Sequence, residues 1–343
     1  MFLITFYFFN ILIIKIFSIN YREEMLNLLN EMKNYAIEKK SSFEFLNNGG
    51  IEIFVENSEK NWSENEINKI SKITDGVLVE GVFYGIDSNY NMKDNYKTPE
   101  NISKEFLDIF KIIKEKKIIS LVLDYCSDKN YIEDSHKLSK ENNLISFAAF
   151  HRELDLIENG EIFDENFNDI NSLKDIKNYL IVLNADKYNE KFISTLKKTN
   201  YDLIIIDISL NENYNWTKNE IESLKLKSNG KKRLIFAYMS VGEIVDYRNY
   251  WNENWNKNKP NWFDKQNENW GGYRVKYWNQ NWKNILFGNN LSYLDSIINF
   301  GYDGVFLDNV DSFIYFEENG EIEYESSNKI FPFWMVVLMV FIF

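Results

Sequence analysis

Five acidic side chains end or closely follow five apolar segments that are predicted to be β-strands. They are Glu80, Asp124, Asp207, Glu243 and Asp308. Three segments share one spacing, because an Asp opens each of them and a carboxylate closes it five residues later. The three pairs are Asp75 with Glu80, Asp202 with Asp207, and Asp303 with Asp308. In an α/β barrel the carboxyl ends of all strands meet at one mouth, where active sites lie. The pattern therefore predicts a cluster of carboxylates at such a mouth.

Crowded carboxylates can do acid–base chemistry, because each raises the pKa of its neighbour and one then stays protonated near neutral pH. One protonated and one ionised carboxyl are what the cleavage of a glycosidic bond requires. Two other interpretations stay open. The acids cap helices and pair with lysines at the rim, or they bind Mg²⁺ or Ca²⁺, which prefer oxygen ligands. Asp75, Asp202 and Asp303 would lie at the opposite face, so we assign them to structure.

Eight apolar segments are predicted to be the strands that position these acids. They are residues 43–47, 76–81, 118–124, 145–150, 179–183, 202–208, 234–239 and 304–308. Near-continuous hydrophobic runs are typical of parallel strands that are covered on both faces. Helical segments alternate with them, which is compatible with a closed barrel or a doubly wound sheet. The count of eight favours a (β/α)8 TIM barrel.

Sequence signals also indicate where several helices lie. Thr217 and Glu220 match a capping box, and Gly301 is placed to end the helix before the last strand. An amphipathic helix over residues 21–39 precedes the first strand. The last strand is followed by a polar stretch in which we predict no amphipathic helix. Because a closed barrel has no ends, the N-terminal helix can fill the gap that this leaves.

The composition of the 343 residues narrows the class of protein. A formal net charge of −13 argues against nucleic acid as a partner, since phosphate binding needs clustered Lys and Arg. The single cysteine, Cys126, excludes an intramolecular disulfide and a cysteine-rich zinc site. Two histidines argue against a histidine-based metal site. We therefore expect no cofactor or metal, and we expect a monomer.

Both ends of the chain are apolar. Residues 1–20 predict a signal peptide or a membrane anchor, although no positive charge precedes the apolar run and no small-residue cleavage site follows it. The expected location is therefore secreted or attached to a membrane. Residues 331–343 form an apolar tail that is short for a bilayer span. We interpret this tail as non-native or as a strand-like plug.

Aromatic residues are concentrated between the seventh and eighth predicted strands. The tryptophans there are Trp251, Trp255, Trp262, Trp270, Trp278 and Trp282. Flat aromatic faces stack on sugar rings, which favours a carbohydrate subsite, whereas a small packed subdomain would use the same residues as a core. Both interpretations stay open. Arg248 and Arg274 are candidate ligand contacts or carboxylate partners, and His151 is interpreted as a rim residue.

Two groups of motifs resemble glycoside hydrolase family 114, the endo-α-1,4-polygalactosaminidase-like family. Residues 179–316 resemble the first half of its barrel through Tyr-Asp-Leu-Ile-Ile-Ile-Asp (201–207), Ala-Tyr-Met-Ser-Val-Gly-Glu (237–243), Asp-Tyr-Arg-Asn-Tyr-Trp (246–251) and Gly-Tyr-Asp-Gly-Val-Phe-Leu-Asp-Asn-Val-Asp (301–311). Residues 21–157 resemble the second half through Asp-Gly-Val-Leu-Val-Glu-Gly-Val-Phe-Tyr-Gly (75–85), Leu-Val-Leu-Asp-Tyr-Cys (121–126) and Ser-Phe-Ala-Ala-Phe-His-Arg-Glu-Leu-Asp (146–155).

The order of these halves differs from that of the family, whose members run from the first half to the second. Here the second half (residues 21–157) comes first, residues 158–178 form a connector, and residues 179–330 carry the first half. The chain therefore resembles a circularly permuted barrel, or the back of one copy fused to the front of the next.

The resemblance implies a barrel that hydrolyses α-1,4-linked galactosamine polymers. It implies a catalytic Asp at the end of the family's fourth strand and a catalytic Glu at the end of its sixth, which correspond to Asp308 and Glu80 in this chain. We expect the other acids and several polar residues of the same motifs to bind the polysaccharide. These are Asp124, Asp207, Glu243, Asp311, Tyr84, Tyr238 and Arg248. The alternative is a degenerate barrel fragment that folds without catalysis and at most binds sugar.

Overall fold

The computed structural model describes residues 11–17, 19–54, 70–157, 160–211, 214–268, 270–319 and 323–329. The α-helices within these ranges alternate with the strands of a central sheet. They are α1 (Tyr21–Lys39), α2 (Glu100–Glu115), α3 (Lys129–Glu141), α4 (Phe192–Leu196), α5 (Lys218–Leu224), α6 (Gln280–Leu286), α7 (Tyr293–Phe300) and α8 (Ser312–Asn319).

Eight parallel strands form the central sheet. They are β1 (Glu44–Asn48), β2 (Gly76–Glu80), β3 (Ile119–Tyr125), β4 (Ile145–Ala149), β5 (Tyr179–Val182), β6 (Leu203–Ile206), β7 (Leu234–Ser240) and β8 (Gly304–Asp308). Their order in the sheet is β4-β3-β2-β1-β8-β7-β6-β5, so consecutive strands of the chain are hydrogen-bonded neighbours except for β4 and β5. The pairing of β1 with β8 places Glu44 opposite Gly304 and joins the two ends of the strand series. The prediction of a (β/α)8 barrel is confirmed.

One junction of the ring differs from the others. Among the described residues, no ladder of backbone hydrogen bonds joins β4 to β5. Side chains and the flanking loops bridge the two strands instead. The Tyr179 ring lies 5.7 Å from that of Phe147, and its hydroxyl donates to the Val122 carbonyl at 2.7 Å. Just above, the Leu183 N–H donates to the Leu154 carbonyl at 2.9 Å. We call this junction the β4–β5 seam.

The observed strands agree with the predicted ones to within two residues at each end. The predicted helix ends are also confirmed. Thr217 and Glu220 form a capping box at the start of α5, and Gly301 ends α7 with a φ of 96°. The stretch after the last strand, where we predicted no amphipathic helix, contains the short helix α8, in which Phe313 is buried.

The aspartates at the strand starts are structural, as expected from their position. Each accepts a hydrogen bond from a lysine ammonium group and another from a backbone N–H of the preceding strand or its approach. The lysine partners are Lys33 for Asp75, Lys227 for Asp202, and Lys225 for Asp303. The amide donors are Phe45, Lys177 and Ile235, respectively. These contacts tie the start of each strand to its neighbour at the lower face of the barrel.

The predicted connector packs under the barrel. Leu173 is fully buried there, and its N–H donates to the Glu44 carboxylate at 2.9 Å. The ammonium group of Lys227 donates to the carbonyls of Asn166 at 2.7 Å and Asn168 at 3.0 Å. A few buried side chains and one buried cation therefore hold a segment that is mostly polar in sequence.

The described residues of the two terminal segments form a separate compact unit, which lies within residues 1–21 and 314–343. Within it, Ile11–Phe17 pairs antiparallel with Glu323–Lys329. Residues 1–10 and the apolar tail at 331–343 lie outside the described residues, so the signal peptide or anchor stays a prediction. In the part of the chain that is described, no helix combines the length and the apolar character that a membrane span needs.

The tryptophan-rich segment folds beside the barrel. Its strands Glu243–Ile244, Phe263–Gln266 and Tyr273–Val275 form a small antiparallel sheet. Trp262 and Trp282 are buried with ring centroids 5.7 Å apart, and the Trp282 indole N–H donates to the Val241 carbonyl at 2.8 Å. Trp270, in contrast, is 58% exposed. The contacts of the buried tryptophans fit the packed-subdomain interpretation, while Trp270 is free of that constraint.

Candidate active site

Polar side chains from five strands converge inside the mouth of the barrel. They are Asn48 of β1, Glu80 of β2, Tyr125 of β3, Tyr238 of β7 and Asp308 of β8. Side chains alternate between the two faces of a strand, so only one parity of each strand reaches the interior. Hydrogen bonds among these five residues show that they share that interior.

The two predicted catalytic carboxyls are joined by one amide group. The Nδ2 atom of Asn48 donates to Oε1 of Glu80 at 2.8 Å and to Oδ1 of Asp308 at 3.0 Å. Because a single nitrogen bonds to both oxygens, these oxygens lie within about 6 Å of each other. The structure thus brings together an acid from residue 80 and an acid from residue 308, with β1 between their strands.

Asp308 is held by further donors. The Tyr238 hydroxyl donates to Oδ2 at 2.7 Å, and the Asn309 N–H donates to Oδ1 at 2.9 Å. Asn309 has a left-handed φ of 59°, and the Ser240 hydroxyl donates to its Oδ1 atom at 2.6 Å. The Tyr238 hydroxyl and the Asn309 N–H each need a lone pair on Asp308, and an ionised carboxylate offers lone pairs on both oxygens. Asp308 is therefore oriented as an acceptor with a fixed side-chain position.

Glu80 occupies a different environment. The Glu80 side chain is 36% exposed, yet the surrounding protein is the largest effect and raises its pKa, and the nearby charge of Asp308 raises it further. Hydrogen bonds from the Tyr125 hydroxyl, at 2.6 Å, and from Asn48 act in the opposite direction. The guanidinium of Arg152 lies 4.0 Å from Oε2 of Glu80. The pKa of Glu80 is raised on balance, so the uncharged form of this carboxyl is favoured relative to an exposed glutamate.

Two further predicted acids lie near the pair. The side chain of Asp311 reaches solvent, yet the surrounding protein and then the charge of Asp308 raise the pKa of Asp311 to about 7. Glu243 is buried and accepts a hydrogen bond from the Asn267 amide at 2.7 Å. Burial raises the pKa of Glu243, and Asp308 contributes to the same effect. In the described ranges, no group of three or more His, Cys, Asp and Glu side chains could hold a metal ion.

Asp207 and Arg248, both predicted to bind substrate, are paired with each other. The guanidinium donates to both carboxylate oxygens of Asp207, at 2.5 and 2.7 Å. The same guanidinium lies 5.5 Å from the ring centroid of Tyr238 and 5.1 Å from that of Tyr247. Tyr247 is 51% exposed, so it presents an aromatic surface to solvent beside this pair.

Two predicted substrate residues lie away from the catalytic pair. Tyr125 faces the interior, so by alternation the neighbouring Asp124 points outward, where it is fully buried and accepts from the Ser135 hydroxyl at 2.7 Å. Burial raises the pKa of Asp124 to about 6. The Tyr84 hydroxyl donates to Asp134 on α3 at 2.8 Å. The structure does not bring either side chain to Glu80.

Three residues at the site were not predicted from the sequence. Asn48 lies one residue beyond the predicted end of the first strand, and Tyr125 follows Asp124 directly. Glu80 is in register with Leu123 of the neighbouring strand, and Tyr125 lies two residues further on the same face. Knowledge of which face points inward would therefore have identified Tyr125 from the sequence. Arg152 follows β4 and carries no sequence signal of its role. Its neighbour His151 is 50% exposed and bonds to Asp155 at 2.9 Å, which agrees with the rim interpretation.

Gly242 leaves room for the loop that orients Asp308. A Cβ atom there would lie 2.0 Å from Oγ of Ser312 and 2.5 Å from the Asn309 carbonyl. We expect Gly242→Ala to displace this loop and to lower the free energy of unfolding by about 1–3 kcal/mol, as overpacking does. Urea unfolding measures the change. Gly160→Ala is the control, because nothing lies within 4 Å of its added Cβ, and equal losses in both variants would contradict the prediction.

Part of the chain matches a known protein family. Residues 176–334 match the model of Glycoside-hydrolase family GH114. The resemblance of residues 179–316 to this family is confirmed. The matched segment contains β5 to β8 and therefore Asp207, Glu243 and Asp308. Glu80 and Arg152 lie outside the matched GH114 segment.

Three curated relatives are similar over parts of their length. A protein of Methanocaldococcus jannaschii is 37% identical over 209 residues, which are 60% of this chain and 53% of that protein. A Thermotoga maritima protein is 44% identical over 94 residues, covering 27% of this chain and 28% of its own. A Deinococcus radiodurans protein is 27% identical over 127 residues, with coverages of 37% and 38%. The chain spans about half or less of the length of these relatives.

Among solved structures, the crystal structure of a hyperthermophilic endo-β-1,4-glucanase in complex with its substrate aligns with 60% of this chain and 62% of that chain. The sequence identity is 14% and the TM-score is 0.23. A similarity of this size carries no argument about activity. The GH114 match and the barrel itself are the findings that bear on function.

Proposed function

We propose that the protein is a glycoside hydrolase that cleaves α-1,4-linked galactosamine-type polysaccharide with Glu80 and Asp308. The observation that carries this proposal is the shared amide of Asn48, which holds two carboxyls from opposite ends of the chain within about 6 Å of each other. The GH114 match supports the reaction class. The choice of galactosamine polymer rests on the motifs that resemble the family.

We assign Glu80 as the acid and base, and Asp308 as the nucleophile. The spacing of the carboxyls supports this, because retaining enzymes place them about 5–5.5 Å apart and inverting enzymes about 6.5–9.5 Å. Glu80 protonates the glycosidic oxygen while Asp308 attacks the anomeric carbon and the glycosidic bond breaks. Water then gives a proton to Glu80 and displaces Asp308 from the glycosyl ester. The product sugar keeps the α configuration.

The acidic surroundings of the pair support a cationic substrate. Asp311 and Glu243 lie close enough to Asp308 for its charge to affect their pKa, and the chain carries a formal net charge of −13. Amino sugars without acetyl groups are cations near neutral pH. Negative charge near the cleavage point therefore favours such a polymer over a neutral one.

The swapped order of the halves is part of the same proposal. Residues 179–316 would be the first half of the family barrel and residues 21–157 the second. The β4–β5 seam lies where the first and last strands of an unpermuted family member would meet, which supports this order. The alternative of a catalytically inert fragment predicts exposed barrel edges, whereas β1 and β8 pair over four residues. That pairing favours an intact barrel.

The proposal predicts cleavage of α-1,4-linked galactosamine oligosaccharides by the full chain, with the α-anomer as the first product. Release of reducing ends measures the cleavage, and proton NMR during the first turnovers identifies the anomer before it equilibrates. A β-1,4-linked glucose oligomer is the matched control and should stay intact. Absence of cleavage in every galactosamine substrate would refute the function. A β-anomer as first product would refute the nucleophile assignment alone.

A further inference from the structure

Arg152 is the starting point, because its guanidinium is shared among three groups. It lies 3.7 Å from the ring centroid of Tyr125. Its Nε and Nη2 atoms lie 2.8 and 2.7 Å from Oδ1 of Asp94. Nη2 also donates to the Gly85 carbonyl at 3.0 Å. With 14% of its side chain exposed, Arg152 is held in one position by these contacts.

Two of these groups belong to a hairpin that follows β2. Its strands are Tyr84–Ile86 and Met92–Lys97, which pair antiparallel. The third group leads to the catalytic pair, because the Tyr125 hydroxyl donates to Oε2 of Glu80 at 2.6 Å. Arg152 also stands 4.0 Å from the same oxygen. It therefore connects the hairpin with the carboxyl of Glu80 both through Tyr125 and directly.

The same construction recurs at the other carboxyl. Arg248 lies over the Tyr238 ring, and the Tyr238 hydroxyl donates to Asp308 at 2.7 Å. Arg248 is in turn held by both carboxylate oxygens of Asp207. Each carboxyl of the pair thus has a tyrosine donor, an arginine over that tyrosine, and an aspartate that holds the arginine. A purely local packing role does not account for this repetition.

We propose that Arg152 is a positioning residue that holds the Tyr125–Glu80 hydrogen bond and couples the charge at Glu80 to Asp94 of the hairpin. The proposal rests on the function proposed for Glu80 and adds a residue outside the GH114 match. Arg152 does not touch the reacting atoms in this assignment. It acts on them through the geometry and charge of Glu80.

The charges around Glu80 determine the direction in which each substitution is expected to shift its pKa. Within the described residues, the titratable and charged groups that face it are Tyr125, Tyr179, Asp308, Asp311 and Arg152. Arg152 is the cation of this set, and it favours the ionised form of Glu80. Asp94 partly neutralises Arg152. Removing the arginine charge and removing the aspartate charge should therefore affect Glu80 in opposite directions.

The pH profile of kcat/KM tests this coupling. A general acid works in its protonated form, so activity is lost as the pH rises through the pKa of Glu80. We expect Arg152→Gln to move this limb upward by roughly 0.5–1 pH unit, since the ionised form loses a cation. Asp94→Asn should move it downward. Arg152→Lys keeps the charge and should return the limb most of the way to its original position.

A charge control comes from the same hairpin. Lys93 lies over the Tyr96 ring, and both are exposed, so Lys93→Gln removes a cation without touching the Tyr125–Glu80 contact. Its limb should stay in place. If Arg152→Gln and Asp94→Asn shift the limb in the same direction, or neither shifts it, the coupling is refuted. Asp94→Asn alone can decide the matter if Arg152→Gln does not fold, because Asp94 lies in the exposed hairpin.

A second measurement needs no substrate. Carbon-13 labelling of glutamate carboxyls allows the Glu80 signal to be identified by its loss in Glu80→Gln and then titrated in each variant. Opposite shifts of its midpoint in Arg152→Gln and Asp94→Asn would support the coupling. Such shifts in a protein that hydrolyses no galactosamine polymer would refute the proposed function while leaving the coupling intact. Unchanged midpoints in an active enzyme would refute the coupling alone.

Discussion

Asp308→Asn is expected to lower kcat at least about a thousandfold while the barrel stays folded, because an amide cannot replace a carboxylate that forms a bond to the substrate. The substitution preserves size and leaves the Tyr238 and Asn309 contacts sterically possible. Reducing-end release measures the rate, and circular dichroism with urea unfolding reports the fold. Full activity in a folded Asp308→Asn protein would remove Asp308 from the mechanism.

Glu80→Gln extends the same result to the proton carrier. Its loss should be about 10²–10⁴-fold on a natural glycosidic bond, because the leaving oxygen then departs without a proton. A substrate with an acidic leaving group needs little protonation, so the bond-breaking step should recover with such a substrate in Glu80→Gln and not in Asp308→Asn. Asp108→Asn is a control, since Asp108 is exposed on α2 and pairs with Lys111. Equal recovery in both variants would contradict the assignment of Glu80 as the acid and Asp308 as the nucleophile.

Lys227→Met should have the largest effect on stability. Lys227 and Asp202 are both fully buried, with Nζ and Oδ1 2.5 Å apart. Removing the lysine leaves an unpaired carboxylate in the protein interior and also frees the carbonyls of Asn166 and Asn168. The loss expected for breaking such a buried pair is about 3–5 kcal/mol in the free energy of unfolding. Urea unfolding at neutral pH measures it.

Lys231→Met is the matched control for that experiment. Lys231 lies 3.7 Å from Asp169, and both side chains are 48% exposed. An exposed pair of this kind is screened by water and contributes little to stability. If Lys227→Met cost no more than Lys231→Met, the buried pair would not be what holds the connector. Recovery of stability on adding Asp202→Leu to Lys227→Met would show that the unpaired carboxylate causes the loss.

The sequence was sufficient to predict the strands because their hydrophobic runs are long and uninterrupted. The same property hides which side of each strand faces the interior. Residues 121–125 are apolar on both faces of β3 apart from Asp124, so no alternation distinguishes the two sides. Asp124 was therefore the natural candidate for a substrate-binding residue at the end of β3. In the structure, however, Asp124 points outward and Tyr125 points inward.

The proposed catalytic roles of Glu80 and Asp308 were predicted only through the family motifs. Five strand-end acids were equivalent by position, and the structure separates them by their partners. Asp207 is engaged by Arg248 from a loop after β7, which is a contact across 41 residues that no local pattern encodes. Asn48 shows the same limit, since its function depends on β2 and β8 being its neighbours. Such roles arise from closure of the ring and not from the segments that form it.

The β4–β5 seam lies on the far side of the ring from the catalytic pair. Glu80 and Asp308 belong to β2 and β8, which flank β1, and the backbone ladders β2–β1 and β1–β8 are continuous. We therefore expect the ring to be stiffest beside β1, where the two carboxyls lie, and easiest to deform at the opposite wall. Deformation at the seam would then leave Glu80, Asp308 and the Asn48 amide between them in place.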